Sequence, residues 1–288
     1  MLTSPIFLYA MVILSWSTSW MPLSWQAIAV APEVGVFHRF LIASPLMALL
    51  ALRAGNRFTF SRADHIAFIG LGLCIFSTNF TLFYYGSLYV ASGLLAVAFA
   101  TASLINILLT ALKDRTRPPA LQLVASIIGL SGVGLVFLPE ITSGQNGLIG
   151  LAFCVTGTVF FSTGNVISQS LQKRAIPVLS SSAWGMLYGM IFSLALSVAN
   201  GHDLGPAMTL PYLGGLAWLA VFSSVAAFAC YLTLVGKIGA GKAGYVTIIF
   251  PIFALLISTI FENYQWTLAA LFGIALVVLG NILMVRAR

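Results

Sequence analysis

Apolar runs close to 20 residues long recur along the whole chain, separated by short stretches that hold Gly, Pro and most of the charge. A helix of that length matches the hydrocarbon core of a bilayer, whereas a barrel strand needs only about 10 residues, with alternation. In hydrocarbon every backbone N–H and C=O must be paired within the protein, which leaves helices or a closed barrel. Run length decides for helices. Composition agrees: 60% of the 288 residues are hydrophobic and 7% charged, against roughly 25% charged in soluble domains. Mean hydropathy is +1.04. The first run lacks a basic lead and is followed by Pro and Trp in place of a cleavage site, so it is expected to remain as the first helix.

Ten spans are expected, near 4–26, 34–52, 65–86, 91–112, 119–138, 147–170, 180–199, 212–235, 243–261 and 266–285. Twelve of the thirteen basic residues follow even-numbered spans: Arg53, Arg57, Arg62, Lys113, Arg115, Arg117, Lys173, Arg174, Lys237, Lys242, Arg286 and Arg288. The odd loops hold Glu33, Glu140, Asp203 and Glu262. The positive-inside rule then puts even loops and both termini in the cytoplasm. The net charge of +7 is thereby read as a topology signal, and no nucleic-acid partner is expected.

Weak matches recur at an offset of half the chain. Trp16-Ser17-Thr18-Ser19-Trp20 resembles Phe161-Ser162-Thr163-Gly164-Asn165, Ala91-Ser92-Gly93 matches Gly239-Ala240-Gly241, and Gly129 and Gly273 hold like places in spans five and ten. Together they predict two five-helix repeats, residues 1–140 and 141–288. Five is odd, so the second enters from the opposite side. Inverted repeats of this kind build secondary transporters, whose sites lie near the midplane where the repeats meet.

Polar residues concentrate in spans one, three, four, six, eight and nine, while five and ten are nearly bare. Polar side chains are costly against lipid, so they face the interior or a wet cavity. Phe99, Ser103, Asn106 and Thr110 follow one helix face, and Thr158, Ser162, Asn165 and Gln169 repeat that spacing. Such residues also glue helices together. Pro22 and Pro251 each remove a backbone donor and leave a carbonyl free four residues back, at Thr18 and Thr247; such a carbonyl binds a ligand or marks only a passive kink. Cys74, Cys154 and Cys230 lack metal-ligand spacing and read as buried hydrophobes. Gly185 and Gly189 are weak evidence for dimerisation in so glycine-rich a chain, and a monomer is expected.

All six carboxylates lie in loops or at span ends, whereas proton-coupled machines keep them at depth. A facilitator with no cofactor is therefore expected. His38 and Arg39 are the ionisable residues inside a span. His38 offers a proton site; alternatively Arg39, near the outer end of span two, snorkels outward or pairs with Glu33, with His38 as its neighbour. Aromatics crowd the polar helices, among them Trp16, Trp20, Phe83, Tyr84, Phe99, Tyr231, Tyr245 and Phe250. An uncharged cavity of aromatics and hydroxyls suits a neutral or zwitterionic solute with an apolar body.

Ten spans in two repeats, a Trp-Ser motif in span one, His38-Arg39-Phe40-Leu41 opening span two, and the run from Tyr245 through Pro251 to Glu262 resemble the drug/metabolite transporter superfamily in its EamA-type branch. Within that branch the likeness is to the aromatic amino-acid exporter type. The resemblance implies a basket-like bundle in a bacterial inner membrane, with helices one, three, four, six, eight and nine around a central cavity. It implies export of amino acids by alternating access. Trp16, Trp20, Asn79, Phe83, Tyr84, Phe99, Ser103, Asn165, Tyr231, Tyr245 and Phe250 are the expected substrate contacts; His38, Arg39 and Pro251 are candidates for gating or coupling. Where the second half has Pro251 the first has Ser103, so a helix break there would not be symmetric. Rival cargoes are a nucleoside, a drug-like cation or a polyamine, although a cation wants a buried carboxylate. No catalytic set lies at one depth, and no enzyme is expected.

Overall fold

A computed structural model describes residues 4–231, 233–234, 237 and 246–286, without the side chains at 103, 145, 247, 248, 284 and 285. Among the described residues the chain is helical and forms no strand. The helices are α1 (Pro5–Ala29), α2 (Pro32–Arg53), α3 (Arg62–Gly86), α4 (Ser92–Asp114), α5 (Ala120–Ser143), α6 (Gln145–Lys173), α7 (Val178–Ala199), α8 (Leu210–Tyr231), α9 (Val246–Phe261) and α10 (Leu268–Arg286). The first eight are long and apolar enough to cross a membrane; within the last two the apolar stretches, Ile249–Phe261 and Leu268–Leu283, are shorter.

Local chemistry sets many ends. Ser61 and Asp64 form a reciprocal capping box at the start of α3. Ser4 and Thr209 cap α1 and α8, each followed within two residues by a proline whose missing N–H costs nothing there. The molecule is apolar outside and polar within. Ile6, Ile28, Ile127 and Phe272 point outward, while Gln26, Thr158, Ser162, Ser193 and Ser258 are fully buried, the distribution that lipid as solvent demands.

Glycine sets the closest contacts. A Cβ on Gly132 of α5 would lie 2.6 Å from the Gly273 carbonyl of α10, so the two backbones touch. Gly185 and Gly189, the pair weighed above as a dimer motif, instead seat α7 on Phe76 of α3. These seams leave α5, α7 and α10 outside the ring that surrounds the central space.

Among the described residues two helices break and two widen. α1 is interrupted at Thr18–Ser19, four and three residues before Pro22, as the proline's clash with the Thr18 carbonyl requires. α4 is interrupted at Ala100–Thr101 with no proline near. α9, by contrast, continues through Pro251. The break considered at Pro251 is therefore not seen, and the corresponding interruption lies in the half that has no proline there. α3 and α8 pass into π-helical turns over Gly72–Asn79 and Trp218–Ala226.

Candidate functional site: an aromatic bowl with a buried guanidinium

The interruptions and π turns converge on one cavity. Trp16 and Trp20 flank the break in α1 and Phe99 ends the first part of α4; Asn79 ends one π turn and Ser223 lies in the other. Phe80 and Phe83 (α3), Phe161 (α6), Phe228 (α8), Phe250 (α9), and Ser19 and Leu23 (α1) complete the wall with Arg39 of α2. The empty space, open mouth included, is about 540 Å³. The six helices expected around a cavity each supply a lining residue, and α2 supplies a seventh contribution.

The wall is a continuous aromatic set. The Trp20 ring stacks on Phe250 at 6.3 Å between centroids and meets Phe83 at 5.3 Å and Phe99 at 5.6 Å. Phe99 packs on Phe161 at 4.5 Å, and Trp16 on Phe228 at 5.9 Å. Offset and edge-on pairs of this kind add about 0.5–1.5 kcal/mol each beyond burial. They hold the rings in place before any ligand arrives. Two polar atoms on lining residues are buried without a partner: the Trp20 indole N–H and the Asn79 Oδ1. An unsatisfied buried group costs about 1–3 kcal/mol, so each of these atoms gains from any partner that reaches it.

Arg39 is the main correction to the sequence reading. It does not snorkel, and it does not pair with Glu33. The side chain is 2% exposed and lines the cavity. Its Nε donates to the Ser224 hydroxyl (2.9 Å) and Nη2 to the Ser223 hydroxyl (3.3 Å). The guanidinium lies over the Phe80 ring at 4.1 Å from the centroid, a contact worth about 2 kcal/mol when desolvated. Glu33 instead accepts from Asn200 (2.8 Å) and Tyr85 (3.0 Å) and faces His202 at 3.2 Å.

His38 points away from the cavity. Its Nε2 meets the Leu204 carbonyl at 2.9 Å and its Nδ1 the Tyr212 hydroxyl at 2.6 Å. A carbonyl only accepts, so Nε2 carries the proton it shares with Leu204, and Nδ1 bonds the Tyr212 hydroxyl. His38 is thus a structural link from α2 to α8 and the loop before it.

Of the other expected contacts, Trp16, Trp20, Asn79, Phe83, Phe99 and Phe250 come together at the wall. Tyr84 is buried behind it and donates to Gln26 (2.5 Å). Tyr231 packs on Trp16 without lining the space. Asn165 donates to Asn106 at 3.4 Å and Ser162 to the Ala102 carbonyl at 3.3 Å; the two matching polar faces meet each other as helix glue. Pro251 is buried within α9. Tyr245 and the Ser103 side chain lie outside the described residues. Ser19, Leu23, Phe80, Phe161, Ser223 and Phe228 had not been chosen as contacts; their helices had been, but only packing decides which face turns inward. Among the described residues no group of His, Cys, Asp and Glu is placed to hold a metal ion.

The profile of the EamA-like transporter family matches residues 3–138 and again residues 148–286. The chain belongs to this family. It is a multi-pass membrane transporter. Among its relatives, the protein PagO of Salmonella typhimurium is 23% identical, across 98% of this chain and 92% of its own length. An uncharacterized transporter of Archaeoglobus fulgidus is 24% identical over 97% and 98%, and the uncharacterized transporter YvbV of Bacillus subtilis 24% over 96% and 90%. A crystal structure superposes with a TM-score of 0.69 at 18% identity, covering 97% of this chain and 96% of that one, a likeness of fold.

Proposed function

We propose that this EamA-like chain exports small solutes with an aromatic body, aromatic and other neutral amino acids first among them, across a bacterial inner membrane by alternating access. The observation that carries the reading is the bowl itself: six phenylalanines and two tryptophans line one cavity where interrupted helices meet. Discontinuous helices at the midplane are where secondary transporters bind their cargo. The orphaned Trp20 N–H and Asn79 Oδ1 fit the polar end of such a solute. Transport is facilitative, since none of the six carboxylates lines the cavity and His38 turns away from it.

The architecture proposed is ten spans in two inverted repeats, 1–140 and 141–288, with both termini cytoplasmic and the chain monomeric. The paired family matches support the repeat. So do the π turns, which begin 146 residues apart in the third helix of each half. The segregation of basic residues supports the orientation.

The test is counterflow. Proteoliposomes loaded with unlabelled tryptophan are placed in labelled tryptophan, phenylalanine or threonine, at equal pH and zero potential. Accumulation of tryptophan and phenylalanine above protein-free vesicles is expected. No accumulation of any amino acid by folded protein would remove the amino-acid assignment.

A further inference from the structure

Resting on the aromatic-solute reading, we propose that Arg39 is the ionic handle of the site, and that the cargo is recognised as an aryl or indolyl carboxylate whose amino group is dispensable.

A buried guanidinium keeps its charge and needs a counter-charge or a full set of hydrogen bonds. Among the described residues Arg39 finds no counter-charge. Asp64 is paired with Arg174, Glu33 is held by Asn200, Tyr85 and His202, and Glu262 by Ser92 and Ser258. Asp114, Glu140 and Asp203 make no ion pair with it. Its hydrogen-bond partners, Ser223 and Ser224, are neutral hydroxyls, with the Tyr84 hydroxyl close by.

The π turn of α8 fixes these partners. Ser224 donates its own proton to the Leu219 carbonyl five residues back, at 2.9 Å, the spacing of the π register. The hydroxyl proton therefore points along the helix and a lone pair faces Arg39. The head group is held in place at a cavity wall with its charge unspent. A carboxylate is the group whose geometry matches a guanidinium fork.

The opposite sign is missing. No carboxylate lines the cavity, and the unpartnered acceptor there, Asn79 Oδ1, is neutral. An ammonium entering the bowl loses its water, finds ring faces and neutral acceptors but no counter-charge, and shares a low-dielectric space with Arg39. An amino acid binds because its carboxylate outweighs this. Its deaminated analogue has no such repulsion to offset, and a bare arylamine lacks the ion pair while carrying the charge that Arg39 repels.

The experiment is calorimetric titration of the purified, detergent-solubilised full chain with 3-phenylpropanoate, phenylalanine and 2-phenylethylamine. The acid is expected to bind at least as tightly as phenylalanine, and the amine at least thirtyfold more weakly. Arg39→Gln, shown folded by its elution and melting profile, is expected to lose at least tenfold for both carboxylates, with Arg39→Lys between it and the parent. If all three ligands bind parent protein alike, or if folded Arg39→Gln binds the acid unchanged, the ionic handle is overturned while the aromatic site stands. If none binds the folded parent, the aromatic reading falls and this proposal with it. The ligand series on parent protein decides the matter even if Arg39→Gln does not fold.

Discussion

The Glu262 carboxylate accepts both the backbone N–H (2.9 Å) and the hydroxyl (2.8 Å) of Ser92, 170 residues away in the chain. Ser258 donates to the same oxygen and accepts from the Gly93 N–H at 3.2 Å. The start of α4 is thereby clasped to the end of α9, one helix from each family-matched segment. Hydrogen bonds to a charged acceptor contribute about 1.5–3 kcal/mol when buried. Glu262 is half-buried, so Glu262→Ala is expected to cost about 2 kcal/mol, and Glu262→Gln about half. Melting temperature in detergent measures this; an unchanged value for Glu262→Ala would show that the clasp does not stabilise the fold.

Trp20→Phe separates binding from stability. The indole N–H is buried without a partner, so removing it relieves an unsatisfied donor while a ring still stacks on Phe250. Melting temperature is expected to hold or rise slightly, while the half-saturation concentration for tryptophan counterflow rises about fivefold, near 1 kcal/mol for one lost hydrogen bond. A drop in stability with unchanged transport would reverse the assignment.

Gly132 and Gly134, two residues apart in α5, are expected to respond oppositely to alanine. At Gly132 the new methyl would meet the Gly273 carbonyl at 2.6 Å and the Val277 nitrogen at 2.7 Å; at Gly134 nothing lies within 4 Å. Gly132→Ala should cost about 1–3 kcal/mol as backbones are forced apart. Gly134→Ala should be neutral or stabilise by up to about 1 kcal/mol through helix propensity. Thermal unfolding of the two variants checks the contrast.

His38→Gln is expected to leave transport and its pH profile between 6 and 8 unchanged, because the ring is bonded at both nitrogens to α8 and its flanking loop, away from the cavity. A stability loss of about 1 kcal/mol is expected from the Tyr212 and Leu204 bonds. Uptake driven by an imposed pH gradient in the parent protein, and lost in His38→Gln, would make His38 a proton carrier instead.

The helix-rich membrane architecture was legible because hydropathy and the 3.6-residue period are local properties of the chain. The polar loading of α1, α3, α4, α6, α8 and α9 and the lost backbone donor at Pro22 were readable for the same reason. The break in α4 at Ala100–Thr101 carried no such mark: no proline or glycine stands there. Ser103, Asn106, Ser162 and Asn165 showed their faces by spacing, but spacing does not say whether a polar face meets solvent or another polar face.

Sequence alone thus determined the solvent this chain folds in, the approximate bounds of its helices, and the segregation of charge between its loops, since each depends on residue type and short-range order. Tertiary structure alone decided the chemistry of the site. Arg39 lies seven residues from the start of α2, about 10 Å along the axis, a depth from which a long side chain can turn toward either the surface or the core. The packing of α2 on the π turn of α8 sets its direction and brings Ser223 and Ser224 to the guanidinium across 184 and 185 residues of chain. No periodicity within one helix encodes the rotation of that helix about its own axis against a neighbour.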